Sequence, residues 1–194
     1  NRVRADHGKT PLPVETPRSH ASSGARGLLG AGMDPKPGDA GYEAAREAFL
    51  VHYAACLAET TRLFDGVATM LSDLDARGFA WGIVTNKAER FTHRIVDGLG
   101  LKQRAAVVVC GDTTPHSKPH PAPLLEAARR AGADAGDCVY VGDDARDILA
   151  GRAAGMATLA AAWGYLGQGE PIEAWGADAV LSEPAALLHW LNLA

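Results

Sequence analysis

From Asp65 onward the sequence alternates between short apolar runs and segments of helical periodicity, and this alternation is what most limits the fold. Three strongly apolar runs, FAWGIVTN, AAVVVCGD and CVYVGD, predict buried strands. Two weaker runs, ATLAAAWG and ADAVLSE, predict a fourth and a fifth strand. Helical segments of about a dozen residues separate them. Such an alternation predicts an α/β fold in which helices cover both faces of a parallel sheet.

Residues 1–61 have a different character and contain no convincing strand pattern. Phe49, Tyr53, Cys56 and Leu57 recur at the spacing of one helical face, which predicts a long amphipathic helix. We therefore predict two parts: an all-helical subdomain over residues 1–61 and an α/β core over residues 62–194.

The composition limits the classes of partner. The chain has 194 residues, 47% of them hydrophobic and 22% charged, so a packed core is feasible. The formal net charge of -4 argues against a nucleic acid partner, and no apolar run approaches the ~20 residues that cross a membrane. Cys56, Cys110 and Cys138 lack paired or metal-like spacing, which is typical of a reducing compartment, so the cytoplasm is the expected location. The oligomeric state is not indicated.

Polar residues follow three of the predicted strands. Thr85 and Asn86 end the first strand, the second leads to Lys118, and the third is followed by a group of acids: Asp143, Asp144 and Asp147. In open α/β sheets the carboxyl ends of the strands meet at one edge, where ligands bind. We therefore expect these side chains to lie close together.

These residue types suit phosphate chemistry. Carboxylates are the hard oxygen ligands that Mg²⁺ prefers, and hydroxyl, amide and ammonium groups hold phosphate oxygens. Together they predict a Mg²⁺-assisted phosphoryl-transfer site for a small phosphorylated metabolite. Each also has a simpler interpretation, because Thr85-Asn86 can cap a helix, Lys118 can be a solvated loop lysine, and the acids can favour a helix N-terminus.

Three stretches carry a resemblance to a known family. GIVTN, SKPHPAP and VGDDARDILAGRAAGM resemble the second, third and fourth motifs of the haloacid dehalogenase superfamily, in its phosphoglycolate phosphatase-like branch. The resemblance covers residues 62–165 and implies a Rossmann-like core, Mg²⁺ dependence and an aspartyl-phosphate intermediate. It implies an enzyme, a phosphoric monoester hydrolase.

The resemblance also implies residue roles. Thr85 would bind the transferring phosphoryl group with help from Asn86, and Lys118 would bridge nucleophile and phosphate. Asp143 would be the main Mg²⁺ ligand, with Asp144 or Asp147 acting partly through water.

The family's first motif, a strand ending in Asp-x-Asp-Gly-Thr whose first Asp is the nucleophile, is missing. Asp6, Asp34 and Asp39 are the only aspartates in residues 1–64, and none fits. Since the other motifs are intact, the sequence favours truncation of a longer protein over natural loss. The chain is then expected to lack the central core strand and to be inactive by itself.

Residues 1–61 resemble the cap that closes over the site in this family. In SSGARGLLG, Gly24 would allow close backbone approach and Arg26 would pair with a substrate carboxylate, although the pattern slightly favours an ordinary helix start with a solvated Arg. The leading substrate class is phosphoglycolate-like. A phosphosugar phosphatase or mutase of the same superfamily, and a non-catalytic protein that binds phosphorylated ligands or a partner, remain as alternatives.

Overall fold

The computed structural model describes residues 1–18, 20–57, 59–167 and 169–193. The chain divides into two compact units. Unit 1 comprises Asn1–Thr60 and Tyr165–Gly169, and unit 2 comprises Thr61–Gly164 and Glu170–Ala194. Within the described residues, no helix is both long enough and apolar enough to cross a bilayer.

Unit 1 is helical throughout its regular structure. Its α-helices are α1 (Arg2–Asp6), α2 (Glu15–Arg18), α3 (Gly24–Gly32) and α4 (Tyr42–Cys56), with a 3-10 helix at Ala21–Ser23. Helix α4 packs against α1 and α3. The small core of the unit consists of buried Val3, Leu29, Tyr42 and Ala45, with Phe49 packed against them.

Unit 2 contains the strands of the fold. They are β1 (Gly82–Val84), β2 (Val107–Val109), β3 (Val139–Gly142), β4 (Ala157–Ala161) and β5 (Ala179–Leu181). The α-helices between and around them are α5 (Val67–Ala76), α6 (Glu89–Gly98), α7 (Ala122–Ala131), α8 (Ala145–Ala153) and α9 (Ala186–Trp190). Short 3-10 helices lie at Ala135–Asp137 and Ile172–Trp175. This is the predicted alternation.

All strand pairs are parallel, as predicted. The pairs form two sheets, β1-β2 and β3-β4-β5. Gly82 lies opposite Val107 in the first sheet, and Val139 opposite Ala157 in the second. Parallel strands need crossover connections, and the helices supply them.

Helices cover both faces of the sheets in unit 2. Successive side chains of a strand point to opposite faces, and in β3 they pack against different helices. Val139 and Val141 of β3 pack into one cluster that includes Leu71 of α5 and Leu187 of α9. Tyr140, between the two valines, packs into a second cluster built on α7 and α8. The α/β class predicted from sequence is confirmed.

A cavity of about 400 Å³ lies between the two sheets of unit 2. Gly82 and Val84 of β1 line it together with Val139, Tyr140 and Val141 of β3. Within the described residues, no hydrogen-bonded ladder joins β1 to β3. Strand β4, which is paired on both edges, is buried at four of its five positions, whereas β1 and β3 contain no buried residue. The lower burial of β1 and β3 follows from their position, because the second edge of each strand faces the cavity.

Candidate active site

Lys118 brings the two sheets together at their carboxyl ends. Its ammonium Nζ lies 2.7 Å from Oδ1 of Asp147, which follows β3. The same Nζ donates to the carbonyl oxygen of Val84, the last residue of β1, at 3.0 Å and to the hydroxyl of Tyr140 at 2.7 Å. The side chains of Lys118 and Asp147 are each 9% exposed. Such a shielded ion pair is stable only because hydrogen bonds complete it.

Asn86 fixes the backbone of the same lysine. The Asn86 amide Nδ2 donates to the Lys118 carbonyl oxygen at 2.9 Å, and the Lys118 backbone N–H donates to Asn86 Oδ1 at 2.9 Å. This reciprocal pair ties the loop before α7 to the end of β1. Both groups of the amide are used in holding Lys118, a role that the sequence did not predict.

Thr85 lies at the first position beyond β1. Its backbone N–H donates to the Val109 carbonyl oxygen at 2.9 Å, which extends the β1-β2 ladder by one bond. Its hydroxyl Oγ1 accepts a 3.1 Å hydrogen bond from the backbone N–H of Lys87. The hydroxyl is therefore held inside the turn that follows the strand, at the sheet edge where the sequence predicted it.

Asp147 is buried in the first turn of α8 and lies directly over the end of β3. A Cβ atom at position 142 would lie 2.6 Å from Oδ2 of Asp147. Gly142 is therefore required by the close approach of this carboxylate. The glycine, the ion pair with Lys118 and the turn of α8 together fix the Asp147 side chain.

Asp144 has a structural partner of its own. It caps α8 by accepting the backbone N–H of Arg146 at 2.9 Å, and its two carboxylate oxygens each accept a 2.8 Å hydrogen bond from the Arg146 guanidinium. Burial raises the pKa of Asp144, but the hydrogen bonds and charge of Arg146 outweigh this effect and hold it below the usual value. Asp144 thus combines a helix cap with a bidentate ion pair.

Asp143 lies at the carboxyl end of β3, beside the turn that follows β4. Any side chain at position 164 would collide with the Asp143 carboxylate, so Gly164 is needed for this approach. Among the described residues, no group of three or more His, Cys, Asp or Glu side chains is arranged to hold a metal ion. Asp144 is paired with Arg146 and Asp147 with Lys118, and the assignment of the three aspartates to a Mg²⁺ site stays a prediction.

The donor chemistry at Asp143 still fits Mg²⁺. The ion takes hard oxygen ligands and usually binds through one or two carboxylates, with waters and substrate phosphate completing its shell. Asp143 supplies one such carboxylate at the strand ends. The nearby Asp147 carboxylate is the second oxygen donor of this edge that could act through water.

Gly24 and Arg26 lie in unit 1. Gly24 begins α3 with a φ of 61°, in the left-handed region that favours glycine. Arg26 is an exposed residue in the first turn of the same helix. Both therefore occur at an ordinary helix start, and their part in substrate binding stays a prediction.

Tyr140 is a member of this site that sequence analysis missed. Its hydroxyl lies 3.1 Å from the Val84 carbonyl oxygen and 3.5 Å from Asp147 Oδ1, in addition to its contact with Lys118. Burial, followed by the charges of Asp147 and Asp143, raises the pKa of Tyr140 well above its usual value, so the phenol stays protonated. One signal was available in the sequence: a tyrosine in the middle of an otherwise aliphatic strand needs a partner for its hydroxyl.

Comparison with known proteins identifies the family of this chain. The family model described as haloacid dehalogenase-like hydrolase matches residues 1–155. The chain belongs to the haloacid dehalogenase-like hydrolases. Within this family, a phosphoglycolate phosphatase from Xanthomonas campestris pv. campestris strain 8004 is 53% identical over 149 residues, which cover 74% of this chain and 67% of the relative.

Two further haloacid dehalogenase-like proteins extend the comparison. An N-acetylmuramic acid 6-phosphate phosphatase from Pseudomonas aeruginosa is 36% identical over 192 residues, covering 99% of this chain and 85% of the relative. The crystal structure of a protein from Haemophilus somnus 129pt, described as a predicted phosphoglycolate phosphatase, superposes with a TM-score of 0.85 at 24% identity. The superposition covers 98% of this chain and 88% of the Haemophilus somnus chain, and this similarity supports the fold.

Proposed function

We propose that this chain is the catalytic part of a Mg²⁺-dependent phosphatase that hydrolyses a small phosphorylated carboxylic acid such as phosphoglycolate. The observation that carries the proposal is the position of Lys118, whose ammonium joins the end of β1 to Asp147 beyond β3. A cation held at the carboxyl ends of two parallel strands is well placed to stabilise a transferring phosphoryl group. Family membership and the phosphatase activity of the named relatives support the same reaction.

In this proposal each residue has one task. Thr85 binds a phosphoryl oxygen, Lys118 neutralises its charge, and Asn86 keeps the lysine loop in register. Asp143 would hold Mg²⁺ with help from Asp147, while both carboxylate oxygens of Asp144 are bound to Arg146. Mg²⁺, when bound, supplies charge stabilisation to the phosphoryl oxygens.

The nucleophile in this mechanism is an aspartate on a further strand that occupies the cavity between β1 and β3. A strand that paired with both β1 and β3 would hold them about 9.6 Å apart, because adjacent strands are ~4.8 Å apart. The unpaired edges of β1 and β3 both line the cavity, and Val84, Val139 and Val141 supply apolar side chains there. An aspartate at the carboxyl end of such a strand would lie near Lys118.

A substrate with both a phosphate and a carboxylate is favoured by the two relatives. Phosphoglycolate and N-acetylmuramic acid 6-phosphate differ in size, but each carries a carboxylate and a phosphomonoester. We propose that Arg26 pairs with this carboxylate, that Gly24 lets the backbone approach it, and that unit 1 is the specificity-determining cap. N-acetylmuramic acid 6-phosphate, a phosphosugar acid, is the second candidate substrate, because its phosphatase matches nearly the whole chain.

The test uses the 194-residue chain and a synthetic peptide of about five apolar residues followed by Asp-x-Asp-Gly-Thr. A matched peptide has Asn in place of the first Asp. Phosphate release is measured with Mg²⁺ on phosphoglycolate, N-acetylmuramic acid 6-phosphate and glucose 6-phosphate, which lacks the carboxylate. We expect release only with the Asp peptide, and preference for the two acids.

The other outcomes separate the alternatives. Binding of both peptides without phosphate release from any substrate would contradict the phosphatase proposal and favour a non-catalytic phospholigand-binding protein. Transfer of the phosphoryl group within glucose phosphates, rather than its release, would favour a mutase. If neither peptide binds, the proposal of a strand in the cavity is wrong. Loss of the acid preference in Arg26→Ala, with Arg90→Ala as an exposed control, would support the role of Arg26.

A further inference from the structure

The environment of Lys118 contains a group whose function no family motif assigns. A lysine ammonium has three N–H donors. Its three acceptors here are Asp147 Oδ1, Tyr140 Oη and the Val84 carbonyl oxygen, at 2.7, 2.7 and 3.0 Å. The donors and acceptors are therefore matched one to one. The Val84 carbonyl is a backbone group, and Asp147 is a predicted site residue. Tyr140 is the one acceptor that the sequence analysis did not predict.

The Tyr140 hydroxyl links both sheets through its own two hydrogen-bonding functions. Its oxygen accepts from Lys118, and its O–H can then donate to the Val84 carbonyl oxygen at 3.1 Å. The alternative acceptor, Asp147 Oδ1, is more distant at 3.5 Å. The hydroxyl thus connects β3, on which Tyr140 lies, to the end of β1. Lys118 Nζ donates to the same Val84 carbonyl oxygen, so the three groups form a closed triangle of hydrogen bonds.

The ring of Tyr140 makes a separate contribution. Lys118 Nζ lies 5.3 Å from the ring centroid but only 2.7 Å from Oη, so the ammonium meets the hydroxyl end of the ring and not its face. Replacement by phenylalanine keeps the ring and its packing against α7 and α8, and removes only the hydroxyl. The substitution is therefore well suited to separate hydrogen bonding from packing.

We propose that Tyr140 is a positioning residue that fixes the Lys118 ammonium at the strand ends through its hydroxyl. This inference rests on the proposed role of Lys118 in phosphoryl transfer. Without the hydroxyl, the ammonium retains two fixed acceptors and can rotate away from the line between Val84 and Asp147. A lysine that samples several orientations stabilises a transferring phosphoryl group less, because preorganised charge is what lowers the barrier.

The first test needs no catalytic activity. In the ¹⁵N-lysine-labelled chain, an ammonium held by three acceptors exchanges its protons with water more slowly than the ammonium groups of Lys9, Lys36, Lys87 and Lys102. Lys118→Arg assigns the slow Nζ signal by removing it. We expect Tyr140→Phe to accelerate proton exchange at the Lys118 ammonium at least tenfold, while the control Tyr42→Phe, at a buried tyrosine of unit 1, changes it less than twofold. A rate within twofold of the wild type in Tyr140→Phe overturns the proposal.

A second measurement covers the case in which Tyr140→Phe does not fold. Replacing the tyrosines by 3-fluorotyrosine leaves every side chain in place and gives a ¹⁹F signal for Tyr140. Lys118→Arg should shift that signal and leave the Tyr42 signal unmoved, and an unmoved Tyr140 signal contradicts the proposal.

The functional readout uses the peptide-complemented chain. There, Tyr140→Phe should lower kcat about tenfold with KM changed less than threefold, since the hydroxyl orients a charge rather than the substrate. An unchanged kcat together with accelerated proton exchange would reduce Tyr140 to a structural residue and overturn the positioning role. If the wild-type chain shows no turnover with the peptide, the proposed function fails, while the exchange experiment still decides whether Tyr140 holds the ammonium.

Discussion

The side-chain amide of Asn86 and the backbone of Lys118 exchange two hydrogen bonds, each 2.9 Å long, across 32 positions of sequence. The Asn86 amide offers one donor and one acceptor to the backbone of Lys118, as the peptide groups of a paired strand do. The position of the lysine is therefore set from both ends: Asn86 fixes its backbone, while Asp147, Tyr140 and Val84 fix its ammonium.

Asn86→Ala removes both of these hydrogen bonds. A net hydrogen bond contributes about 1 kcal/mol, and Asn86 is exposed, so we expect a loss of about 1 to 2 kcal/mol in the free energy of unfolding. Urea unfolding of the whole chain measures this loss in the free energy of unfolding. Gln103→Ala, at an exposed polar residue of the same unit, serves as the control. Equal effects of the two substitutions would show that the Asn86–Lys118 pair adds nothing to stability.

Asp144→Asn tests the ion pair with Arg146, since asparagine can still cap α8. The folded pKa of Asp144 is lowered from 3.8, so its contribution to stability is present above that value and is lost as the pH falls through the lowered one. We expect the variant to be less stable by about 0.5 to 1 kcal/mol at pH 7, a modest figure because Arg146 is partly exposed.

The difference between wild type and Asp144→Asn should begin to shrink below about pH 4, where the unfolded chain takes up the proton, and be lost as the pH falls through the lowered folded pKa. Thermal unfolding between pH 3 and pH 7 checks this trend. Asp97→Asn, at an exposed residue of α6, gives the baseline. A difference that stays constant with pH would assign the effect to the cap rather than to the charge.

Gly142→Ala places a methyl group against the Asp147 side chain, with Oδ2 only 2.6 Å away. Because the carboxylate is held by Lys118, relief requires movement of α8 or of β3, and overpacking of this kind costs about 1 to 3 kcal/mol. Gly136→Ala, at a position where an added Cβ meets no described atom within 4 Å, is the matched control. Thermal unfolding compares the two variants. Equal stability would mean that Asp147 moves more freely than its contacts indicate.

Asp143→Asn should abolish divalent metal binding at the strand ends, whereas Asp144→Asn should preserve it within about threefold. The physical reason is that the Asp144 carboxylate already has both oxygens on Arg146. Mn²⁺, as a paramagnetic substitute for Mg²⁺, broadens the NMR signals of nearby residues and reports binding without turnover. Loss of the broadening in Asp144→Asn would make Asp144 a ligand and contradict this assignment.

Leu124→Ala truncates a side chain that is fully buried in α7 and borders the cavity. Core Leu→Ala changes cost about 2 to 5 kcal/mol. We expect a value near the lower end, because the side chain already has free space on one side. Leu125→Ala, at a position that is 45% exposed on the same helix, should cost less than about 1 kcal/mol. Chemical denaturation of the two variants gives the comparison.

The sequence was a good guide wherever the signal is local. Apolar runs such as CVYVGD and the helical spacing of Phe49, Tyr53 and Cys56 are patterns of neighbouring positions, and the corresponding strand and helix are present. The sheet edge that carries Thr85, Lys118 and Asp143 was also predicted, because the carboxyl ends of parallel strands share one edge by geometry.

The partners of these residues could not be predicted in the same way. Arg146 lies two residues from Asp144, yet only the cap geometry of α8 turns the two side chains toward each other. Asn86, just beyond β1, and Tyr140, on β3, are distant from Lys118 in sequence, and their contacts with it depend on how the two sheets approach each other. The spacing of the three aspartates predicted metal ligands, but it could not reveal that Asp144 pairs with Arg146 and Asp147 with Lys118.

The separation of unit 2 into two parallel sheets also has a consequence for the order of folding. In each sheet the paired strands are neighbours along the chain: Gly82 pairs with Val107, Val139 with Ala157, and Leu159 with Ala179. Contacts between nearby segments close early, because little loop entropy opposes them. We therefore expect pairing within each sheet to precede the association of the two sheets, and that association brings the acceptors of the Lys118 ammonium together.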